Sequence, residues 1–170
     1  MSSICVYVKS EDVKKHLASS LRSIEGLKDR FTFYGKTLTI MTGNIVEVVA
    51  DAIVNASNTQ LILGSGVSGA IRQKVGPRLQ EEMSLIAEKR QLKPGDVVLT
   101  GSYDLITCKY IIHAATADGS ERSVARAVAN CMKICGNNNI ASVAFPALGT
   151  GTGGLPMPDC ARITIERIMS

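Results

Sequence analysis

Two asparagines and two glycine runs carry the chemistry this sequence could perform. Asn55 and Asn58 follow a short apolar run, Ala52-Ile53-Val54, and lead into Gly64-Ser65-Gly66-Val67. Downstream, Ser142-Val143-Ala144-Phe145 leads through Pro146-Ala147-Leu148 into Gly149-Thr150-Gly151-Thr152-Gly153-Gly154. Glycine lets a backbone come close to a ligand. A helix that starts beyond such a loop offers unpaired N–H groups and the positive end of its dipole. Together they form an anion cradle beside neutral amide side chains. Two such loops at strand C-terminal ends point to a ligand with more than one phosphate, held in the crevice above a sheet.

Other uses of these residues fail on their spacing. Both loops satisfy G-x-G-x-x-G, through Gly64, Gly66 and Gly69 and through Gly149, Gly151 and Gly154. The dinucleotide fingerprint also needs a tight strand–turn–helix and an acidic residue ending the next strand. The first loop lies well beyond its strand, and the second runs into Pro156 and Pro158 with no strand after them. Neither G-x-x-x-x-G-K-[ST] nor G-x-S-x-G occurs, which removes the P-loop and the serine nucleophile elbow. His16 stands among lysines and reads as solvated. His113 lies in an apolar strand and reads as a satisfied core histidine rather than a base. Cys5, Cys108, Cys131, Cys135 and Cys160 form no C-x-x-C pair. They read as buried free thiols in a reducing compartment. Cys131 and Cys135 share a helix face without His or acidic partners, so no metal site is expected, and no cofactor.

The elements that must position these loops alternate along the chain. Residues 4–8 form an apolar strand, and Ser10 caps an amphipathic helix over residues 11–24, with Val13, Leu17, Leu21 and Ile24 at helical spacing. Residues 25–30 read as a linker. A hairpin of residues 30–34 and 36–41 follows, then a turn at Thr42-Gly43-Asn44-Ile45 and a short crossover over 46–50. The first glycine loop opens a helix at about Val67 that runs to about Lys89, with a restart at Gly76-Pro77. Strands are expected over 96–100, 109–114 and 140–145, and helices over 120–135 and 158–169. The runs VVL and YIIHA are apolar on both faces, as in strands covered on both sides. Strand and helix alternation of this kind is the pattern of an α/β sheet with two helical layers.

Composition sets bounds. A chain of 170 residues with 45% hydrophobic content is one globular domain with a core of its own. Aromatic residues make up 4%, without Trp, which argues against a surface that stacks many bases. A net charge of +4 suits anionic ligands but falls short of a nucleic-acid footprint. A single-stranded RNA or poly(A)-binding module, favoured by that mild basicity alone, is the alternative function. Neither a signal peptide nor an apolar run near membrane-spanning length is present in the sequence, so the expectation is a cytoplasmic protein without membrane contact.

The segment IVNASNTQLILGSGVSGAI resembles the signature of the macro domain family, whose members bind ADP-ribose. TGNIVEVVADAIVNASN, KYIIHAA and SVAFPALGTGTGGLP extend the likeness over nearly the whole chain. The resemblance implies a three-layer α/β/α sandwich with a mixed sheet of about six or seven strands, and a diphosphate held between the two glycine loops. It implies that Asn44 and Ile45 meet the adenine and that Asn58 meets the distal ribose; Asn55, at the strand end before the same glycine loop, is a candidate for binding by its position alone. Gly64, Ser65, Gly66 and Val67 match the first phosphate loop, and Gly149, Thr150, Gly151, Thr152 and Gly153 the second. The partners implied are ADP-ribose and ADP-ribosylated protein. Three positions depart from the family pattern. Asn44 stands where an acid is usual, which weakens adenine selectivity. Ser68 stands where many hydrolytic members carry an aspartate, and Gly153 where many members carry an aromatic. Hydrolysis of ADP-ribosyl esters in the family resembles substrate-assisted water attack, which makes Asn58 the candidate catalytic residue. Without an acid at Ser68 no general base is evident, so binding ranks above weak hydrolysis.

The order of elements differs from that family. SSICVYVKSEDVKKHLASSLRSI resembles its C-terminal strand and helix, yet stands first. The expectation is a circular permutation within one domain over 1–170, with residues 1–24 as the moved unit and 25–30 as the join. Strand 4–8 should then lie inside the sheet, parallel to strand 140–145 and antiparallel to strand 37–41.

Overall fold

The computed structural model describes residues 3–8, in their backbone course, and residues 30–170. One mixed sheet contains seven strands: β1 (Ser3–Val8), β2 (Arg30–Phe33), β3 (Lys36–Thr42), β4 (Ala52–Ser57), β5 (Val97–Gly101), β6 (Tyr110–Ala115) and β7 (Ser142–Phe145). Their order is β2-β3-β1-β7-β4-β6-β5. The five inner strands run parallel, and only the edges β2 and β5 are antiparallel to their neighbours.

β1 lies inside the sheet between β3 and β7 and is parallel to β7, as expected. Its pairing with β3 is parallel, which corrects the antiparallel expectation. The hairpin explains the difference. Tyr34 and Gly35 both have positive φ, 44° and 71°, the two-residue turn that matches strand twist. That reversal leaves β2 as the opposed strand, so β3 keeps the direction of the inner strands. The expected helix over 11–24, its His16, the 25–30 join and the Cys5 thiol lie outside the described residues.

Among the described residues, four helices cover the sheet. α1 (Gly66–Val75) and α2 (Pro77–Lys89) pack Ile71, Val75, Leu79 and Met83 against Ile53, Val98 and Ile111 on one face. α3 (Glu121–Asn137) and α4 (Met157–Met169) pack Val124, Val128, Ile165 and Ile168 against Val54, Ile112 and Phe145 on the other. The strand period of two sorts alternate residues of β4 and β6 onto these two faces. Each fully buried Leu, Ile or Phe contributes about 1.5–3 kcal/mol. The result is the α/β/α sandwich.

Asp51 ties the sheet at the N-terminal end of β4. Its Oδ2 accepts from the Ala141 and Ser142 amides at 2.9 and 3.1 Å, and Lys109 pairs with Oδ1 at 3.4 Å. Partial burial would raise this carboxyl, but those amide bonds and Lys109 outweigh it and hold the pKa below its ordinary value. Register is thereby fixed at one end, and the opposite end is left to the glycine loops. No helix among the described residues is long and apolar enough to cross a membrane.

Candidate functional site

At the C-terminal ends of β4 and β7 the two glycine loops flank one crevice of about 870 Å³. Gly64, Ser65, Gly66 and Val67 line it from one side, and Gly149, Thr150, Gly151, Thr152 and Gly153 from the other. α1 starts here with no side-chain cap on Ser65. Only the Gly69 amide turns back, to Ser65 O at 3.2 Å. The N–H groups of Gly66, Val67 and Ser68 therefore lack helical partners and carry the positive end of the α1 dipole.

The second loop is braced from behind. Leu155 N–H donates to Gly149 O at 2.9 Å, and Thr150 Oγ1 to Ala147 O at 2.8 Å. Gly153 presses on Gly119 so closely that a Cβ at 153 would lie 2.5 Å from Gly119 Cα. No aromatic could stand at 153 in this arrangement. Among the described residues, the N–H groups of Thr150, Gly151, Thr152 and Gly153 donate to nothing. They are free to meet an anion.

Asn44 and Ile45 line the crevice with Thr42 and Gly43. Asn44 caps a 3-10 turn, Ile45–Glu47, its Oδ1 accepting from Val46 N–H at 3.3 Å. Thr107 Oγ1 holds the same turn by donating to Val46 O at 2.8 Å. One lone pair of Asn44 Oδ1 and its amide hydrogens remain for a ligand.

Asn58 also lines the crevice, but most of its amide is spent on its own loop. Oδ1 accepts from Gln60 and Ile62 N–H at 3.0 and 3.2 Å, and Nδ2 donates to Ile62 O at 3.2 Å. One Nδ2 hydrogen is left over. Gln80 and Arg72 pin the same loop through Leu61 O, Leu63 N–H and Leu63 O. Side chains, not strands, satisfy the backbone of this loop.

Asn55, expected beside Asn58 as a ligand-binding residue, lies beneath the crevice. It is fully buried and lines no part of the crevice. Its neighbour in the alternation, Ile53, already faces the core, and the pleat carries Asn55 to the same side. Its Oδ1 accepts from Ser68 Oγ at 2.9 Å, and its Nδ2 faces His113 Nδ1 at 3.1 Å. His113 is the satisfied core histidine expected, with Nε2 at 2.9 Å from Thr100 Oγ1. Burial pushes its pKa down to about 3, so the imidazole stays neutral.

Thr116 and Ala117 beyond β6, Ile62, and Met157 at the start of α4 also line the crevice and were not anticipated. The position of β6 beside β4 brings the first two there, a long-range pairing that no local motif announces. No lining residue among those described carries a charge or titrates near neutrality. Anion binding here would rest on backbone N–H groups and the helix dipole. Cys108, Cys131, Cys135 and Cys160 are free and buried, and burial raises their thiol pKa values. Among the described residues no three His, Cys, Asp or Glu side chains gather as a metal site would require.

Comparison with known proteins identifies this architecture. The family model described as Macro domain matches residues 54–164. A macro domain-containing protein of Caldanaerobacter subterraneus subsp. tengcongensis is 38% identical over 136 residues, covering 76% of this chain and 77% of its own. O-acetyl-ADP-ribose deacetylase 1 of Pantoea vagans is 36% identical over 140 residues, covering 78% of this chain and 81% of its own. The solved Oceanobacillus iheyensis macrodomain with ADP superposes with a TM-score of 0.75 at 29% identity, covering 82% of this chain and 78% of its own. On its sequence, its sheet and its paired glycine loops, the chain belongs to the macro domain family.

Proposed function

We propose that this protein binds ADP-ribose, free or attached to a protein, with the diphosphate between the two glycine loops. The observation that carries this reading is an uncharged crevice walled by two sets of unpaired backbone N–H groups, one of them a helix N-terminus. Such a wall recognises a compact diphosphate by hydrogen-bond geometry. The relative that hydrolyses O-acetyl-ADP-ribose and the neighbour with ADP support the ligand class. Asn44 and Ile45 receive the adenine in this reading, and Asn58 offers its remaining Nδ2 hydrogen to the distal ribose. Titration calorimetry with ADP-ribose is the test, and no heat at millimolar ligand defeats the proposal.

Ester hydrolysis ranks second. Ser68 lines the crevice and donates to Asn55 Oδ1, 3.1 Å from Ala56 O, so a neutral hydroxyl rather than a carboxylate stands there to take a proton from water. Any cleavage of an ADP-ribosyl ester draws its base from the substrate, with Asn58 and the loop backbone orienting the water. Loss of turnover in Asn58→Ala, with binding and fold intact, supports that role; unchanged turnover removes Asn58 from it. The four free thiols among the described residues fit a reducing compartment, and the cytoplasm is the location we propose.

We also propose that the chain, one domain over 1–170, is circularly permuted, with residues 1–24 as the transposed unit and 25–30 as the join. The slot of β1, parallel to β7 and β3, supports this, because a crossover through α4 would fill it in an unpermuted chain. A rearranged chain carrying residues 1–24 after Ser170 should fold and bind as the original does. An insoluble product counts against the permutation.

A further inference from the structure

Beneath the first glycine loop, four polar side chains form a line across the sheet on the face covered by α1 and α2. Asn55 on β4, His113 on β6 and Thr100 on β5 occupy three adjacent strands, with Asn55 in register with His113. Ser68, in the first turn of α1, completes the line. Asn55 and His113 are 0% exposed, Thr100 3% and Ser68 5%. With Asn55 Oδ1 facing Ser68 and Nδ2 facing His113, the bonds run in one direction. Asn55 Oδ1 can only accept, so Ser68 Oγ donates to it. Asn55 Nδ2 then donates to His113 Nδ1, which must be unprotonated. The proton therefore sits on Nε2 and is donated to Thr100 Oγ1, whose own hydrogen goes to Gly101 O at 3.0 Å.

An apolar core would pack at least as well without these groups, since each must recover its desolvation through a hydrogen bond. What the bonds add is a fixed length and direction. The element so fixed is the start of α1, which has no side-chain cap at Ser65. Gly66 there adopts φ 61°. The Ser68 hydroxyl is the side-chain tie between that first turn and the sheet.

We propose that His113 and Thr100 are positioning residues for the phosphate cradle. Through Asn55 and Ser68 they hold the first turn of α1 at the angle that aims its N–H groups into the crevice. The inference rests on the ADP-ribose reading above. Thr100→Val keeps shape and removes the acceptor of His113 Nε2–H at a position outside the crevice lining. By calorimetry with ADP-ribose, it should bind about tenfold more weakly, the equivalent of one buried hydrogen bond. Thr100→Ser, which restores the hydroxyl, should bind within about twofold of the parent, well under one such bond. Ile168→Val, on the opposite face of the sheet, should lose similar stability and no affinity. Nitrogen NMR of the parent protein should find His113 neutral with its proton on Nε2. Parent-like binding by Thr100→Val overturns the proposal, as does an equal affinity loss in Ile168→Val. A proton on Nδ1 overturns it too, even if no variant folds. Absence of binding by the parent protein is a different result, which defeats the ADP-ribose reading and this role with it.

Discussion

Gly119 lies outside the crevice lining, yet its replacement by alanine should damage the site. At φ 64° it occupies the left-handed region, where a Cβ costs about 1–2 kcal/mol. The added Cβ would also stand 2.0 Å from Gly153 O. Ordinary contact begins at 3.4 Å, so the two loops must part by about 1.4 Å. Overpacking of that kind costs about 1–3 kcal/mol. The combined loss of roughly 2–5 kcal/mol leaves a domain of ordinary stability folded, with Tm lowered by about 5–15 °C. A displacement of that size stretches any N–H···phosphate bond from the 149–153 loop past hydrogen-bond range. ADP-ribose affinity should fall at least about tenfold, since a hydrogen bond to a charged group is worth about 1.5–3 kcal/mol. The assays are thermal unfolding and calorimetry, with Gly151→Ala as the partner variant. A Cβ at 151 meets nothing among the described residues within 4 Å, so that variant should keep its Tm and lose affinity only through contact with the ligand. Parent-like Tm and affinity in Gly119→Ala would refute the reasoning about the braced loop.

Further outcomes are expected. Asn44→Asp keeps the cap on Val46 N–H and adds a charge-assisted acceptor. It should tighten ADP about tenfold relative to IDP, which carries an oxygen in place of the amino group; an unchanged ratio, read by calorimetry, removes Asn44 from the base site. ADP-ribose affinity should vary less than about twofold between pH 6 and 9, because no described lining residue titrates there. A bell-shaped profile would contradict this. Stability should behave differently. His113 has its folded pKa lowered from 6.5 to about 3, so the unfolded chain takes up a proton that the folded one refuses. Its contribution is constant above pH 6.5 and shrinks as pH falls toward 3, by roughly 1.4 kcal/mol per pH unit at most. Urea unfolding across that range should show a steeper acid loss in the parent than in His113→Gln.

The parts of this fold that were legible in the sequence are local. Apolar runs ending in glycine loops mark β4 and β7, and the loops themselves mark the crevice. Gly76-Pro77 marked the break between α1 and α2, since Pro fits the first turn of a helix. The long-range pairings were not legible. The direction of β3 against β1 depends on a hairpin reversal and on which edge of β3 is left free. Asn55 and Asn58 stand close together in the sequence, yet the strand period sends Asn55 into the core and releases Asn58 past the strand end. The partners of His113 lie 58 and 13 residues away. Only the sheet order brings Asn55 and Thr100 to either side of it.

Electron density from a crystal soaked with ADP-ribose tests the central claim most directly. The account predicts a diphosphate between residues 64–67 and 149–153, bonded to backbone N–H groups of both loops, with the base against Asn44 and Ile45. A diphosphate held elsewhere, or held by charged side chains in place of those N–H groups, would contradict it.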